Sequence, residues 1–382
     1  MVNERGQEKQ HYLLSAASRT LSPMRIARLS DDEAYRTFCT IRFADTGGHP
    51  TCPHCKSARI YEISTRRIFK CADCRRQFSA TSGTAFASRK MSYRDILYAV
   101  MVFVNGASGV SALRLSREVD CSYKTAFVLC AKLREAMAKS RDPRPLQGEV
   151  EVDGIVFPHS ARKGRMRDQR FTQPNPRSTQ QVVVGARERG EHGQSRLTVV
   201  LRNETVGIPF ILDSVSAGST FLTDNGAWTP FGTKGPHYIV NHDEGYLIDD
   251  ICTNQIESLF ARLRRSQRGV HYRIIGSNLD LYAQEVSWRE DHRRLSNGEQ
   301  WLRLLHATSH QPVSPRWKGY WQRWLGPTVT RRKRDRRYHW RVAYGFRRAA
   351  QVSQSGARIA SAIPDLFPAG LPHAAALPLL SR

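Results

Sequence analysis

Two groups of residues in this 382-residue chain have the types and spacing to do chemistry. The first is Cys52-Pro53-His54-Cys55, followed by Cys71-Ala72-Asp73-Cys74. Two Cys-x-x-Cys pairs at that separation are what a tetrahedral Zn²⁺ site requires, each pair presenting two thiolates on one tight knuckle. His54 lies between two ligands, and with four cysteines available it reads as an exposed knuckle residue. The second group is acidic. Asp153 ends the run Glu149-Val150-Glu151-Val152-Asp153, whose alternation puts the three acids on one strand face and the valines on the other. Asp224 follows Phe221-Leu222-Thr223 at a strand end, and Glu257 lies one turn into a helix opened by Thr253-Asn254. Carboxylates so placed can converge on a pair of Mg²⁺ ions, which take oxygen ligands and clamp the attacking and leaving oxygens of a phosphodiester. Each acid also has a purely structural reading. Asp224-Asn225-Gly226 is turn chemistry, Asn254-x-x-Glu257 has capping-box spacing, and Glu149 and Glu151 compete with Asp153 as the first acid.

The elements that must position these groups follow from periodicity and punctuation. Between the cysteine pairs, residues 59–63 and 67–70 are short β-prone runs joined by Ser64-Thr65-Arg66, a ribbon in outline. Ahead of it, residues 1–30 read as a loose basic leader. A helix begins at Asp31-Asp32 with Ala34, Phe38 and Ile41 on one face, and Gly47-Gly48-His49-Pro50 ends the segment. Beyond the ribbon, Ser92 caps a helix through Val104, residues 109–120 form a second, and Ser122 caps a third from Tyr123 to about Ala138. A short helix, a tight turn and a longer basic helix make the helix-turn-helix pattern, with an ordinary three-helix bundle as the alternative. The third helix carries Lys124, Lys132 and Arg134 as candidate DNA contacts, above an apolar stripe of Ala126, Leu129, Cys130, Leu133 and Met137. After an Arg-Pro linker, β-prone runs at 148–157, 180–187, 195–202, 219–222 and 237–240 precede helical patterns at 253–265 and 279–289. That order predicts a mixed α/β sheet with helices packed on it. The excursion 162–177, with Arg162, Lys163 and Arg165, suits phosphate contacts. A second basic block occupies 331–337 of an irregular tail.

Composition narrows the partner. Lys and Arg number 59 against 34 Asp and Glu, giving a net charge of +25 and a pI near 10.3. A surplus that large, recurring in clusters, points to a polyanion, and nucleic acid is the first candidate. The other cysteines, Cys39, Cys121, Cys130 and Cys252, lack framework spacing, which suits a reducing compartment where zinc uses the paired thiols. The N-terminus has no apolar signal core, and the longest apolar run, 96–104, falls short of the ~20 residues a spanning helix needs. The expectation is a soluble, intracellular protein without membrane contact.

From about Asp31 to Leu305, the ribbon cysteines, the helical segment 109–137, Val150-Glu151-Val152-Asp153, Thr223-Asp224 and Thr253-Asn254-Gln255-Ile256-Glu257 resemble one family. It is that of the bacterial insertion-sequence transposases with an N-terminal zinc ribbon and a DDE catalytic domain (ISXO-like). The resemblance implies a multidomain chain: leader and helix at 1–46, zinc ribbon at 47–90, helix-turn-helix domain at 91–140, α/β ribonuclease-H-like catalytic domain at 148–305, and basic tail at 306–382. It also implies structural Zn²⁺ on Cys52, Cys55, Cys71 and Cys74, and catalytic Mg²⁺ on Asp153, Asp224 and Glu257. Asn254 would be a motif residue, and Ile256, Leu259, Phe260 and Leu263 would pack on the sheet. The implied activity is strand cleavage and strand transfer on terminal inverted repeats and target DNA, by a homo-oligomer in the cytoplasm at the nucleoid. One departure stands out: relatives often follow the first aspartate with another acid, whereas here Gly154 follows Asp153. The alternatives are a zinc-ribbon regulator whose acids are structural, and a ribonuclease-H-like nuclease without strand transfer.

Overall fold

The computed structural model describes residues 11–157, 181–224, 228–240, 252–272, 274, 278–322, 363 and 366. The chain forms two compact units: Met1–Asn105 with Ala112–Pro143 and Ser296–Arg382, and Gly106–Ser111 with Arg144–Leu295. The excursion 162–177, with Arg162, Lys163 and Arg165, and the basic block 331–337 lie outside the described residues.

In the first unit the leader is not loose over its described part. A short helix, α1 (Pro23–Ala27), is capped by Ser22, and Leu21, Ile26 and Leu29 are buried. Three apolar residues so unevenly spaced leave no periodic signal, which is why the sequence hides them. Helix α2 (Asp31–Arg42) opens with a reciprocal Ser30–Glu33 capping box and buries Ala34, Phe38 and Ile41 as expected. The ribbon has strands β1 (Ile60–Ile63), β2 (Ile68–Cys71) and a third, β3 (Gln77–Phe78), all antiparallel. Two residues are too few to show alternation, so β3 could not be read from sequence. Helix α3 (Tyr93–Asn105) begins where Ser92 and Asp95 cap each other. Helix α4 (Ala112–Glu118) and the Ser122-capped α5 (Tyr123–Lys139) are joined by a turn in which Asp120 takes φ +48°. The stripe Ala126, Leu129, Cys130, Leu133 and Met137 is buried.

The second unit is built on a five-stranded mixed sheet in the order β6-β5-β4-β7-β8. Strands β4 (Glu149–Phe157), β5 (Gln181–Glu188) and β6 (Ser195–Leu201) form an antiparallel meander. Strands β7 (Thr220–Asp224) and β8 (His237–Val240) then add on the other side, parallel to β4 and to each other. Both faces are covered, so the central strands read as apolar runs. One face carries α6 (Ile208–Ser214), with Ile211 packed among Val150, Val152, Val184, Phe221 and Phe231. The sequence reading missed this two-turn helix, which begins at a Gly-Ile-Pro step that also reads as loop. The other face carries α7 (Asn254–Arg265) and α8 (Leu279–Asp291). The expected stripe Ile256, Leu259, Phe260 and Leu263 is buried there with Ile155, Val183 and Leu197. Gly185 makes that approach possible: a Cβ on it would stand 2.4 Å from Leu197 and 3.1 Å from Ile256.

A last helix, α9 (Asn297–His310), starts at a Ser296–Glu299 capping box and belongs to the first unit, where the Trp301 indole donates to the Leu97 carbonyl at 3.0 Å. The sheet-bearing unit runs to Leu295. The apolar face of α9 announces a buried helix without naming what covers it. Among the described residues, no helix is long and apolar enough to cross a membrane.

Candidate active site

The ribbon cysteines come together as their spacing requires. Cys52 and Cys74 sulfurs lie 3.6 Å apart, Cys55 and Cys71 sulfurs 3.5 Å apart, and all four fall within 4.8 Å of one another. A tetrahedron of ~2.3 Å Zn–S bonds spaces its sulfurs ~3.8 Å apart, so the cluster fits a zinc ion. The knuckles are built alike. The residue after each second cysteine, Lys56 (φ +64°) or Arg75 (φ +57°), takes the left-handed conformation, which turns the chain sharply behind the thiols. Backbone amides then face the sulfurs: the Cys74 N–H, foremost, holds the Cys71 thiol below its usual range. His54 stays outside, near Arg76.

The acids are positioned by the sheet. Strand β4 pairs with β7 so that Val152 faces Thr223. The next residues, Asp153 midway along β4 and Asp224 at the end of β7, therefore come level on adjacent parallel strands. Asp153 Oδ1 accepts the Gly154 N–H at 2.6 Å. Asp224 Oδ1 accepts the Trp228 indole N–H at 2.8 Å, and that buried indole is stacked in turn on Phe231. Burial pushes the Asp153 carboxyl up to about 7, against the pull of the Gly154 N–H, and the charges of Asp224, Glu204 and Glu257 add to the rise. The three acids expected from sequence thus act on one another electrostatically. Their oxygens do not all lie within 4.8 Å of one another, a spacing that the described residues reach in only two clusters.

The competing acids have other tasks. Glu151 is fully buried and accepts the Gln255 and Ile256 backbone N–H groups at 2.8 and 2.9 Å, satisfying the start of α7. Its other oxygen meets Arg189 at 3.0 Å, and Arg189 also pairs with Glu149 at 2.9 Å. Glu151 thereby ties the helix that carries Glu257 to the strand that carries Asp153. The capping-box alternative for Glu257 does not hold in this geometry. The N-cap is Thr253 rather than Asn254, and the Thr253 hydroxyl donates to Glu257 at 2.7 Å while Glu151 caps the backbone.

Sequence reasoning missed two contributors. Glu204, just past β6, folds over Gly154 so closely that a Cβ there would come 2.3 Å from its Cγ. Burial, with Asp224 nearby, raises the Glu204 carboxyl. Gly154, read as a departure from the family pattern, is what admits this fourth acid, so the glycine was the available signal. Trp228, the other, stands four residues after Asp224, with no motif of its own to mark it.

The candidate DNA contacts divide. Lys124 is exposed on the first turn of α5, its ammonium 5.6 Å from the Trp321 ring. Lys132 is half-buried, and burial lowers its amine. Arg134 is 4% exposed, with its guanidinium 5.4 Å from the Phe103 ring, so the structure places it in the packing between helices.

A thiolate ribbon ahead of an acid-bearing mixed sheet is the make-up of a transposase. Residues 145–291 match the family model of the ISXO2-like transposase domain, and residues 29–77 that of the transposase zinc-ribbon domain, together just over half the chain. The chain belongs to the ISXO2-like transposases with an N-terminal zinc ribbon. No curated protein and no solved structure matched it.

Proposed function

We propose that this transposase binds the terminal inverted repeats of its element and catalyses metal-dependent strand cleavage and strand transfer, from a ribonuclease-H-like domain spanning the mixed sheet. The observation that carries the reading is the register that sets Asp153 level with Asp224, with Glu257 tied to the same strand through Glu151. A sheet of three antiparallel strands continued by two parallel ones, with helices on both faces, supports the ribonuclease-H-like assignment. In this reading Asp153, Asp224 and Glu257 hold Mg²⁺, for which all-oxygen donors are the fitting set. When bound, the metal supplies charge neutralisation at the scissile phosphate and activation of the attacking oxygen. The chain's own part is positioning. Trp228 fixes the Asp224 carboxylate, Glu151 fixes the helix under Glu257, and Asp153 stands ready to give up a proton that burial makes it hold. No side-chain nucleophile is required.

DNA recognition is assigned to α4 and α5 acting as a helix-turn-helix. Lys124 at the exposed start of α5 reaches the DNA, while the ribbon, Arg162, Lys163 and Arg165 contribute phosphate contacts. The working form is a homo-oligomer on DNA, in the cytoplasm at the nucleoid. An assay on duplexes carrying the element's own ends tests the reading. Mg²⁺-dependent cutting at the end, lost in Asp153→Asn with DNA binding retained, is expected. Equal cutting by the variant would refute it.

A further inference from the structure

Outside the ribbon, one other cluster among the described residues gathers three metal-ligating groups within 4.8 Å: Asp45, His306 and His310. Asp45 sits in the single turn after α2, and the two histidines are one helical turn apart on α9, all within the first unit. Asp45 Oδ1 lies 3.1 Å from His306 Nε2, and Oδ2 lies 3.5 Å from His310 Nε2. The imidazoles stand side by side, with ring centres 4.1 Å apart.

The orientation of His310 is decisive. Its Nδ1 is 2.8 Å from the His306 carbonyl oxygen. A carbonyl only accepts, so Nδ1 carries the hydrogen and the neutral ring has its lone pair on Nε2. That bare nitrogen then faces a carboxylate oxygen 3.5 Å away, an arrangement that a cation held between the two would satisfy. A backbone carbonyl holding Nδ1–H is also the usual support behind a metal-bound histidine.

We infer that Asp45, His306 and His310 form a second cation site, for a borderline divalent ion such as Zn²⁺, distinct from the ribbon cluster. Two imidazoles and one carboxylate suit zinc and its neighbours rather than Mg²⁺ or Ca²⁺. Three protein ligands leave a position for water, and Asp45, 46% exposed, gives the ion access to solvent. Bound there, the ion would clamp α9 to the turn just before Gly47-Gly48-His49-Pro50, the root of the ribbon. This site is independent of the catalytic proposal.

Native mass spectrometry of the full chain loaded with zinc tests it. Each of Asp45→Asn and His310→Asn is expected to carry one zinc ion fewer per chain than the wild type, whatever the carboxylates of the sheet hold. Asp45→Asn keeps shape and His310→Asn keeps a donor near the Nδ1 position, both at partly exposed sites, and unchanged near-UV circular dichroism checks their folding. Co²⁺ substitution separates the sites, because the thiolate cluster gives an intense charge-transfer band that both variants should keep. A zinc count in either variant equal to that of the wild type would overturn the proposal.

Discussion

If Asp153 is forced by burial and by neighbouring carboxylates to hold its proton, the magnesium-free protein must lose stability as pH rises from the carboxyl's ordinary range toward its raised one. The carboxyl rises from an ordinary 3.8 to about 7. At ~1.4 kcal/mol per pH unit, that rise is worth ~4 kcal/mol. The sign follows from linkage: with the folded value above the unfolded one, the contribution is intact below pH ~4, falls as pH rises through 7, and then levels off. Asp153→Asn removes the titration. With zinc present and magnesium absent, wild type and variant should melt together near pH 4. At pH 8 the variant should melt higher, by up to ~8–16 °C at ~2–4 °C per kcal/mol for a domain of this size. Magnesium should raise the wild type toward the variant and leave the variant unmoved, because a cation between the carboxylates reverses the penalty. Thermal melts followed by circular dichroism read this without any catalytic assay. Identical melting of the two proteins at pH 8 without magnesium would refute the reasoning.

Three further outcomes follow from named contacts. Cys71→Ser should lose the ribbon zinc, measured as metal per chain, and terminal-DNA affinity with it, because a ribbon this small has little core of its own. Trp228→Phe keeps the stacking surface but removes the hydrogen bond to Asp224. It should cost ~1 kcal/mol of stability and slow cleavage about tenfold with DNA affinity unchanged, whereas full-rate cleavage would show that the indole does not position the acid. Lys124→Ala should change discrimination between terminal and random DNA in competition binding, while Arg134→Ala should lower the melting temperature through lost packing on Phe103 without changing that discrimination.

What could be read ahead of the structure depended on how local the signal was. The cysteine spacing and the alternation in β4 are local, so ligands and strand faces were both legible. The apolar stripe of α7 was legible for the same reason, and it lands on the sheet as its period requires. Roles set by distant partners were not. Arg134 looks like any basic residue on a basic helix until Phe103, from another helix, covers it. Glu151 looks like a rival to Asp153 until the amides of Gln255 and Ile256, a hundred residues on, claim its carboxylate. Glu204 follows a strand with no motif around it, and only the space above Gly154 explains its place. Asp45 and the α9 histidines, 261 residues apart for the nearer pair, carry no signal in sequence at all.

The central claim is that Asp153, Asp224 and Glu257 work as one metal-holding set in strand transfer. Asp224→Asn and Glu257→Gln each remove one charge while nearly keeping shape. The direct measurement is the yield of joined product when pre-cut element ends are incubated with target DNA and Mg²⁺. The wild type should join ends to target, and both variants should bind the ends normally yet fall at least ~100-fold in joining. Near-normal joining by Glu257→Gln would contradict the account, because it would remove Glu257 from the metal-holding set.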